Sequence, residues 1–171
     1  MRNLITYEEI SLLARPCTTD RETADAMVAE AQRVELKPRL GDALFIKLMP
    51  EHPEDRFDTL LEGGVWGTPP RENLLTGLKT ALAYYTLARI MRDGNIQATV
   101  YGAAVKDDQY SMNPETSERQ RQYRELFEQA DSYMAEVLDY LAENLNLFPE
   151  YAGACDSKMR SNRMTIRIIG K

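Results

Sequence analysis

The sequence predicts a mostly α-helical, single-domain bundle that closes on one long C-terminal helix. Two helix-start signatures stand near the N-terminus, Thr6–Glu9 and Thr19–Glu22. Apolar residues recur at helical period through three long segments. With 171 residues and a hydrophobic fraction of 43%, the chain is long enough to bury a core without staples. Residues 1–156 form the expected helical domain, and 157–171 an extended basic tail.

Thr6-Tyr7-Glu8-Glu9 reads as a capping box, with Ile5 and Ile10 placed as a hydrophobic staple. A helix over Tyr7–Ala14 follows and stops at Arg15-Pro16, because the residue before proline avoids the helical region. Thr19-Asp20-Arg21-Glu22 reads as a second box. Ala24, Met27, Val28, Ala31 and Val34 then form one stripe of a helix ending near Glu35. Pro38 suits the first turn of a third helix, which carries Leu40, Ala43, Leu44 and Leu48 and stops at Pro50. Pro53 opens a short helix through Phe57, Leu60 and Leu61, closed by Gly63-Gly64. Val65 to Pro70 is expected to be an ordered loop with Trp66 against the core. From Glu72 to Arg92 apolar residues, Leu74 and Met91 among them, cover most of a helix, which places it in the middle of a bundle.

Asn95 to Met112 loses the helical pattern. Ile96, Ala98 and Val100 alternate with polar residues, and Gly102 and Asp107-Asp108 mark turns, so an extended loop or hairpin is expected around 95–112. Asn113-Pro114 caps the last helix. Tyr123, Phe127, Ala130, Met134, Val137 and Leu141 give it a continuous seam to about Leu145. About 31 residues at ~1.5 Å each reach roughly 46 Å, enough for one end to project. Beyond Pro149 the chain reads as irregular until Thr165-Ile166-Arg167-Ile168-Ile169, a short β-prone segment with no other strong strand to pair with. It is either a frayed end or a strand for a neighbour's sheet or groove.

The net charge is −6, against general affinity for nucleic acid. The average hides an asymmetry. Lys158, Arg160, Arg163, Arg167 and Lys171 bring five positive charges and no acid to the tail, leaving the first 156 residues at −11. The tail is either solvated or a docking element. Cys17 and Cys155 make no metal or redox spacing, which suits a reducing setting. The N-terminus MRNLITYEEI lacks a signal-peptide run, and nothing approaches the ~18 apolar residues of a membrane span. A soluble protein made in the cytoplasm is expected, with no membrane partner.

No arrangement calls for catalysis. His52 sits between prolines without a metal-ligand partner. Cys17 has no histidine nearby in sequence to activate it. The glycines form neither a dinucleotide fingerprint nor a P-loop, and Asp107-Asp108 lack calcium-loop spacing. Glu8-Glu9 is explained by the preference of acids for helix starts. No catalytic residue, metal ligand or cofactor is expected, and the protein is not expected to be an enzyme.

Glu35-Leu36-Lys37-Pro38-Arg39-Leu40-Gly41-Asp42-Ala43-Leu44 follows an amphipathic helix. Gly77-Leu78-Lys79-Thr80-Ala81-Leu82-Ala83-Tyr84-Tyr85, Thr99-Val100-Tyr101-Gly102 and Asp108-Gln109-Tyr110-Ser111 come later. From Thr6 to Tyr151 this order resembles the helical head–tail connector proteins of tailed bacteriophages and prophages, also called neck, ring or head-completion adaptors. On the residues alone, the Leu-Lys-Pro-x-Leu-Gly-Asp-x-Leu run is structural: Leu40 and Leu44 face the core, Gly41 permits close helix approach and Asp42 suits a first turn.

The resemblance implies a ring homo-oligomer in the virion neck, whether or not the chain is monomeric in isolation. Its partners are then the portal protein and the next tail or stopper protein, with DNA passing through the lumen without sequence-specific binding. Ile96, Val100, Tyr101 and Tyr110 are the candidate interface residues of the extended segment. Arg163, Ile166, Arg167, Ile168 and Ile169 are those of the tail. The rival readings are a small helical regulatory or DNA-binding module of a mobile element, with Arg119, Arg121 and Arg124 its nearest approach to a basic helix, and a helical enzyme.

Overall fold

The computed structural model describes residues 2–50, 53–93, 96–99, 102–105 and 116–151, with the backbone alone at 96–99, 102–105 and 116. The described helices are α1 (Tyr7–Leu13), α2 (Arg21–Ala31), α3 (Lys37–Leu40), α4 (Asp42–Leu48), α5 (Asp58–Glu62), α6 (Leu78–Asp93) and α7 (Thr116–Glu143). Strands β1 (Gly64–Thr68) and β2 (Arg71–Leu75) form one antiparallel hairpin, and β3 (Ile96–Thr99) and β4 (Gly102–Val105) another. The mostly α class, the long C-terminal helix and the hairpin in the 95–112 segment are as the sequence predicts.

The first helix starts as its sequence dictates. Thr6 Oγ1 accepts from the Glu9 N–H at 3.3 Å, and the Glu9 carboxylate accepts from the Thr6 N–H at 2.7 Å. Ile5 and Ile10 are both buried. The second start lies one residue later than expected. Asp20, not Thr19, is the N-cap, and its carboxylate accepts from the Thr23 N–H at 2.8 Å. Ionised Asp caps strongly and gains from the helix dipole.

The second helix does not end at Glu35. Gln32–Leu36 continues it as a π-helical segment that runs into α3, with Pro38 in that helix's first turn. The wider i→i+5 turn delays the helical phase. Leu36 and Leu40, which a regular continuation would carry off the stripe, stay against the core. Val34 turns outward and is 51% exposed, contrary to its place in the expected stripe. Gly41 then breaks the run at φ 82°, a left-handed value that favours glycine. Its contribution is therefore the bend between α3 and α4. In α4 Leu44, Phe45 and Leu48 are buried and Ala43 is exposed.

The expected loop at Val65–Pro70 is strand and turn, and Glu72–Leu75 is strand where helix was expected. The register pairs Val65 with Leu74 and Trp66 with Asn73. Leu74 is 72% exposed, and Met91 is exposed too. The hairpin is pinned at its base by two left-handed glycines. A Cβ on Gly63 would lie 2.5 Å from the Leu75 carbonyl oxygen, and one on Gly77 would lie 2.7 Å from the Gly63 nitrogen. Only bare backbone fits where the end of α5 meets the start of α6.

Helix α6 is the centre of the bundle. Leu78, Ala81, Leu82, Tyr85, Leu87 and Ala88 are all buried, and α1, α2, α5 and α7 pack around it. The expected α7 seam faces it: Ala130, Met134, Val137 and Leu141 are buried, joined by Leu126 and Tyr140. At 28 residues α7 spans about 42 Å. Its first buried residue is Leu126, so its N-terminal turns lie beyond the described core. The chain past α7 is more ordered than its sequence suggests. Residues 149–151 are helical, and buried Phe148 meets Phe57 and Tyr140 with ring centroids 5.8 and 5.7 Å away. Arg56 holds this end through the Leu147 carbonyl at 2.6 Å and Glu150 at 2.8 Å. The Asn113-Pro114 cap, His52, Asp107-Asp108 and Cys155 lie outside the described residues.

Replacing Leu82 with Ala is expected to cost about 2–5 kcal/mol in urea unfolding, as buried leucines do. A change under about 0.5 kcal/mol would mean that α6 is not central. A second expectation concerns acid. Lys79 bridges Glu9 of α1 at 3.1 Å and also pairs with Glu62. Burial raises the Glu9 carboxyl, but the Thr6 N–H and the Lys79 ammonium outweigh it and hold it below its ordinary value. A carboxyl depressed in the fold contributes stability above its unfolded value, and that contribution is lost as pH falls through the folded value. Glu9→Gln should therefore flatten the loss of stability between neutral and acid pH. An unchanged pH profile would overturn this.

Candidate interaction surface

The buried ionisable groups are committed to one another. Arg89, in the middle of α6, is 5% exposed and Glu35 is 9% exposed. Arg89 Nη2 meets Glu35 at 2.9 Å and Nη1 reaches Glu30. The other Glu35 oxygen takes Arg39 at 2.8 Å, and Arg39 continues to Asp131 of α7 at 2.8 Å. Asp131 also accepts from the Tyr85 hydroxyl, and the Arg39 guanidinium lies 5.1 Å from the Tyr85 ring centroid. Burial, with the Asp131 hydrogen bond, pushes the Tyr85 phenol far above its ordinary value. The chain of charges links the π-helical segment, α3, α6 and α7. Its chemistry is that of a clamp: each carboxylate is held by a guanidinium, a hydroxyl or both.

Among the described residues no group of three or more His, Cys, Asp or Glu side chains is placed to hold a metal ion. Cys17 is half-buried, with the Ser11 hydroxyl 3.8 Å from its sulfur. No described helix is long and apolar enough to cross a membrane.

The surface offers more than the interior. On the outer face of the first hairpin the cross-strand partners Val65 and Leu74 are 67% and 72% exposed. On its other face Trp66 packs edge-on against Tyr140, centroids 5.2 Å apart. Between hairpin and α7 runs a groove of about 260 Å³ lined by Trp66, Asn73, Leu74, Glu136, Asp139 and Glu143. Glu136 is anchored by the Thr76 hydroxyl at 2.6 Å and the Thr76 N–H at 3.2 Å. Asp139 and Glu143 are exposed.

Helix α7 is electrically lopsided. Arg119, Arg121 and Arg124 stand near its start, whereas Glu125, Glu128, Asp131, Glu136, Asp139 and Glu143 follow with no base among them. The macrodipole favours the reverse order by roughly 0.3–1 kcal/mol for each charge in a terminal turn.

Of the interface residues expected from sequence, Ile96 lies in β3, opposite Val105 of β4. Val100, Tyr101, Tyr110, Arg163, Ile166, Arg167, Ile168 and Ile169 lie outside the described residues. The Val65/Leu74 pair and the acidic groove were not anticipated. The available signal was the punctuation Gly63-Gly64, Gly67, Pro69-Pro70 and Gly77, which brackets two five-residue strands about a two-residue turn.

The fold is thus a small helical domain with hairpin insertions and a polarised long helix. The chain belongs to a family of unknown function, DUF6712, which it matches over residues 36–161. No curated protein and no solved structure matches it.

Glu35→Ala tests the clamp. It leaves Arg89 buried with Glu30 alone, and the expected loss of stability is about 3 kcal/mol, the low end for breaking a buried pair. A loss below about 1 kcal/mol would put the pair on the footing of a surface salt bridge.

Proposed function

We propose that this chain is a structural head–tail connector of a tailed phage or prophage, assembling as a ring below the portal and linking head to tail around the DNA channel. The observation that carries the reading is where the distinctive residues of the Glu35–Leu44 run are spent. Glu35 and Arg39 enter the clamp, Leu36, Leu40 and Leu44 are buried, and Gly41 makes the bend. The run that prompts the resemblance to connectors thus builds a scaffold. The features that the scaffold does not need lie outside it: the exposed Val65/Leu74 pair, the acidic groove and the reversed charge order of α7. These are resources for contact with other proteins.

In this reading the chain is not an enzyme and needs no cofactor. Its partners are copies of itself, the portal protein and the next tail or stopper protein, and its place is the virion neck after synthesis in the bacterial cytoplasm. A body at −11 suits a lumen through which DNA slides without sequence-specific binding. Head-to-tail contacts between copies close into a ring when their rotation permits.

Electron microscopy of particles with this chain labelled tests the proposal: density at the neck is expected, and label absent from the neck overturns it. Deleting Ser157–Lys171 should preserve the helical circular dichroism of the isolated chain while weakening incorporation into particles. Loss of helical signal would contradict the view that the tail adds nothing to the core.

A further inference from the structure

We propose that the groove between the first hairpin and α7 is the docking site for the basic segment Arg163–Ile169 of the same chain. The inference concerns the free chain and stands whether or not the connector reading does.

Three observations converge on it. The first is charge. The groove wall carries Glu136, Asp139 and Glu143 on one face of α7, spaced three and four residues apart. Among the described residues Asp139 and Glu143 enter no ion pair, and no basic side chain lines the groove. The residues past 156 carry five bases and no acid. Acids at the C-terminal end of a helix work against its dipole, and a basic partner relieves that cost.

The second is shape and hydrogen-bonding capacity. The groove offers the Trp66 ring beside its carboxylates, with Leu74 at its edge. Thr165-Ile166-Arg167-Ile168 alternates in the same sense. As an extended strand it places Ile166 and Ile168 on one face and Arg167 on the other. Strand β2, which packs against α7, is paired on one side only among the described residues, by β1. An added strand finds backbone partners on such an edge.

The third is the tether. Tyr140 touches both Trp66 of the groove and Phe148, so the chain leaves the described structure at Tyr151 close to the groove. The stretch 152–162 spans up to roughly 36 Å when extended, ample to bring Arg163 back. A tether of this length sets the local concentration of the segment near the millimolar range, far above the micromolar concentrations used in solution. This favours the chain's own tail over a second copy's.

Trp66 is the protein's only tryptophan and lines the site, so its fluorescence reads occupancy directly. The full chain carrying Arg163→Glu and Arg167→Glu should show acrylamide quenching of Trp66 about twofold greater than the parent, because the indole face is uncovered. Raising salt to about 1 M, where the Debye length is about 3 Å, should move the parent towards the same value. Adding Asp139→Arg and Glu143→Arg to the tail variant reverses the pairing and should restore the parental quenching. Both groove positions are exposed, and bases there suit the helix dipole. Circular dichroism establishes that each variant is folded. If the groove substitutions unfold the chain, the tail variant and the salt series still decide.

Quenching that is indifferent to tail charge and to salt overturns the proposal. So does failure of a folded charge-swapped variant to recover. A response that grows with protein concentration assigns the groove to a second copy and overturns it as well. None of these outcomes bears on where the chain sits in a particle, so the connector reading stands or falls separately.

Discussion

A guanidinium buried in the central helix sets the terms for everything around it. Arg89 lies among leucines and alanines in α6, and an uncompensated charge there would cost several kcal/mol. Compensation has to come from neighbouring elements, and it comes from the far end of the α2 run, where Glu35 and Glu30 reach it. Glu35 in turn needs Arg39, and Arg39 needs Asp131. One buried charge thus fixes the approach of α2, α3 and α7 to α6. Apolar packing supplies most of the stability, but leucine against leucine tolerates sliding. A chain of directional ion pairs does not, and this is how a small helical domain acquires one arrangement among several of similar burial.

The π-helical segment belongs to the same logic. Its delayed phase keeps Leu36 and Leu40 on the core while Glu35 faces Arg89. No local signal in Gln32-Arg33-Val34-Glu35-Leu36 marks such a segment, and Val34 was accordingly misplaced. The first capping box, the central helix and the α7 seam were legible, because each rests on residues within one or two helical turns. The first hairpin was not. Arg71-Glu72-Asn73-Leu74-Leu75 has good helix formers, and what overrides them is the left-handed backbone at Gly67 and Gly77 around the Pro69-Pro70 turn. The groove was out of reach for another reason: Trp66 and Glu143 are brought together by tertiary packing, and no period in the sequence connects them. The charge asymmetry of the tail, being a matter of composition, could be read directly.

Stability and surface are in tension along α7. Its charge order opposes its own dipole, and its acids crowd one side of the groove. The helix tolerates this because its other face is locked against α6 from Leu126 to Leu141. A helix held by packing can carry charges on its outer face that an isolated helix would reject. The family match begins at Leu36 and so takes in α6 and α7, the pair on which this tolerance rests.

The glycine contact at the base of the first hairpin has a mechanical meaning. Gly63 follows α5 directly and Gly77 precedes α6 directly, and their backbones meet with no side chain between them. There is no compressible cushion at this joint. A load applied at the hairpin tip is transmitted into both helices at once, and the hairpin behaves as a stiff cantilever whose root is the bundle itself.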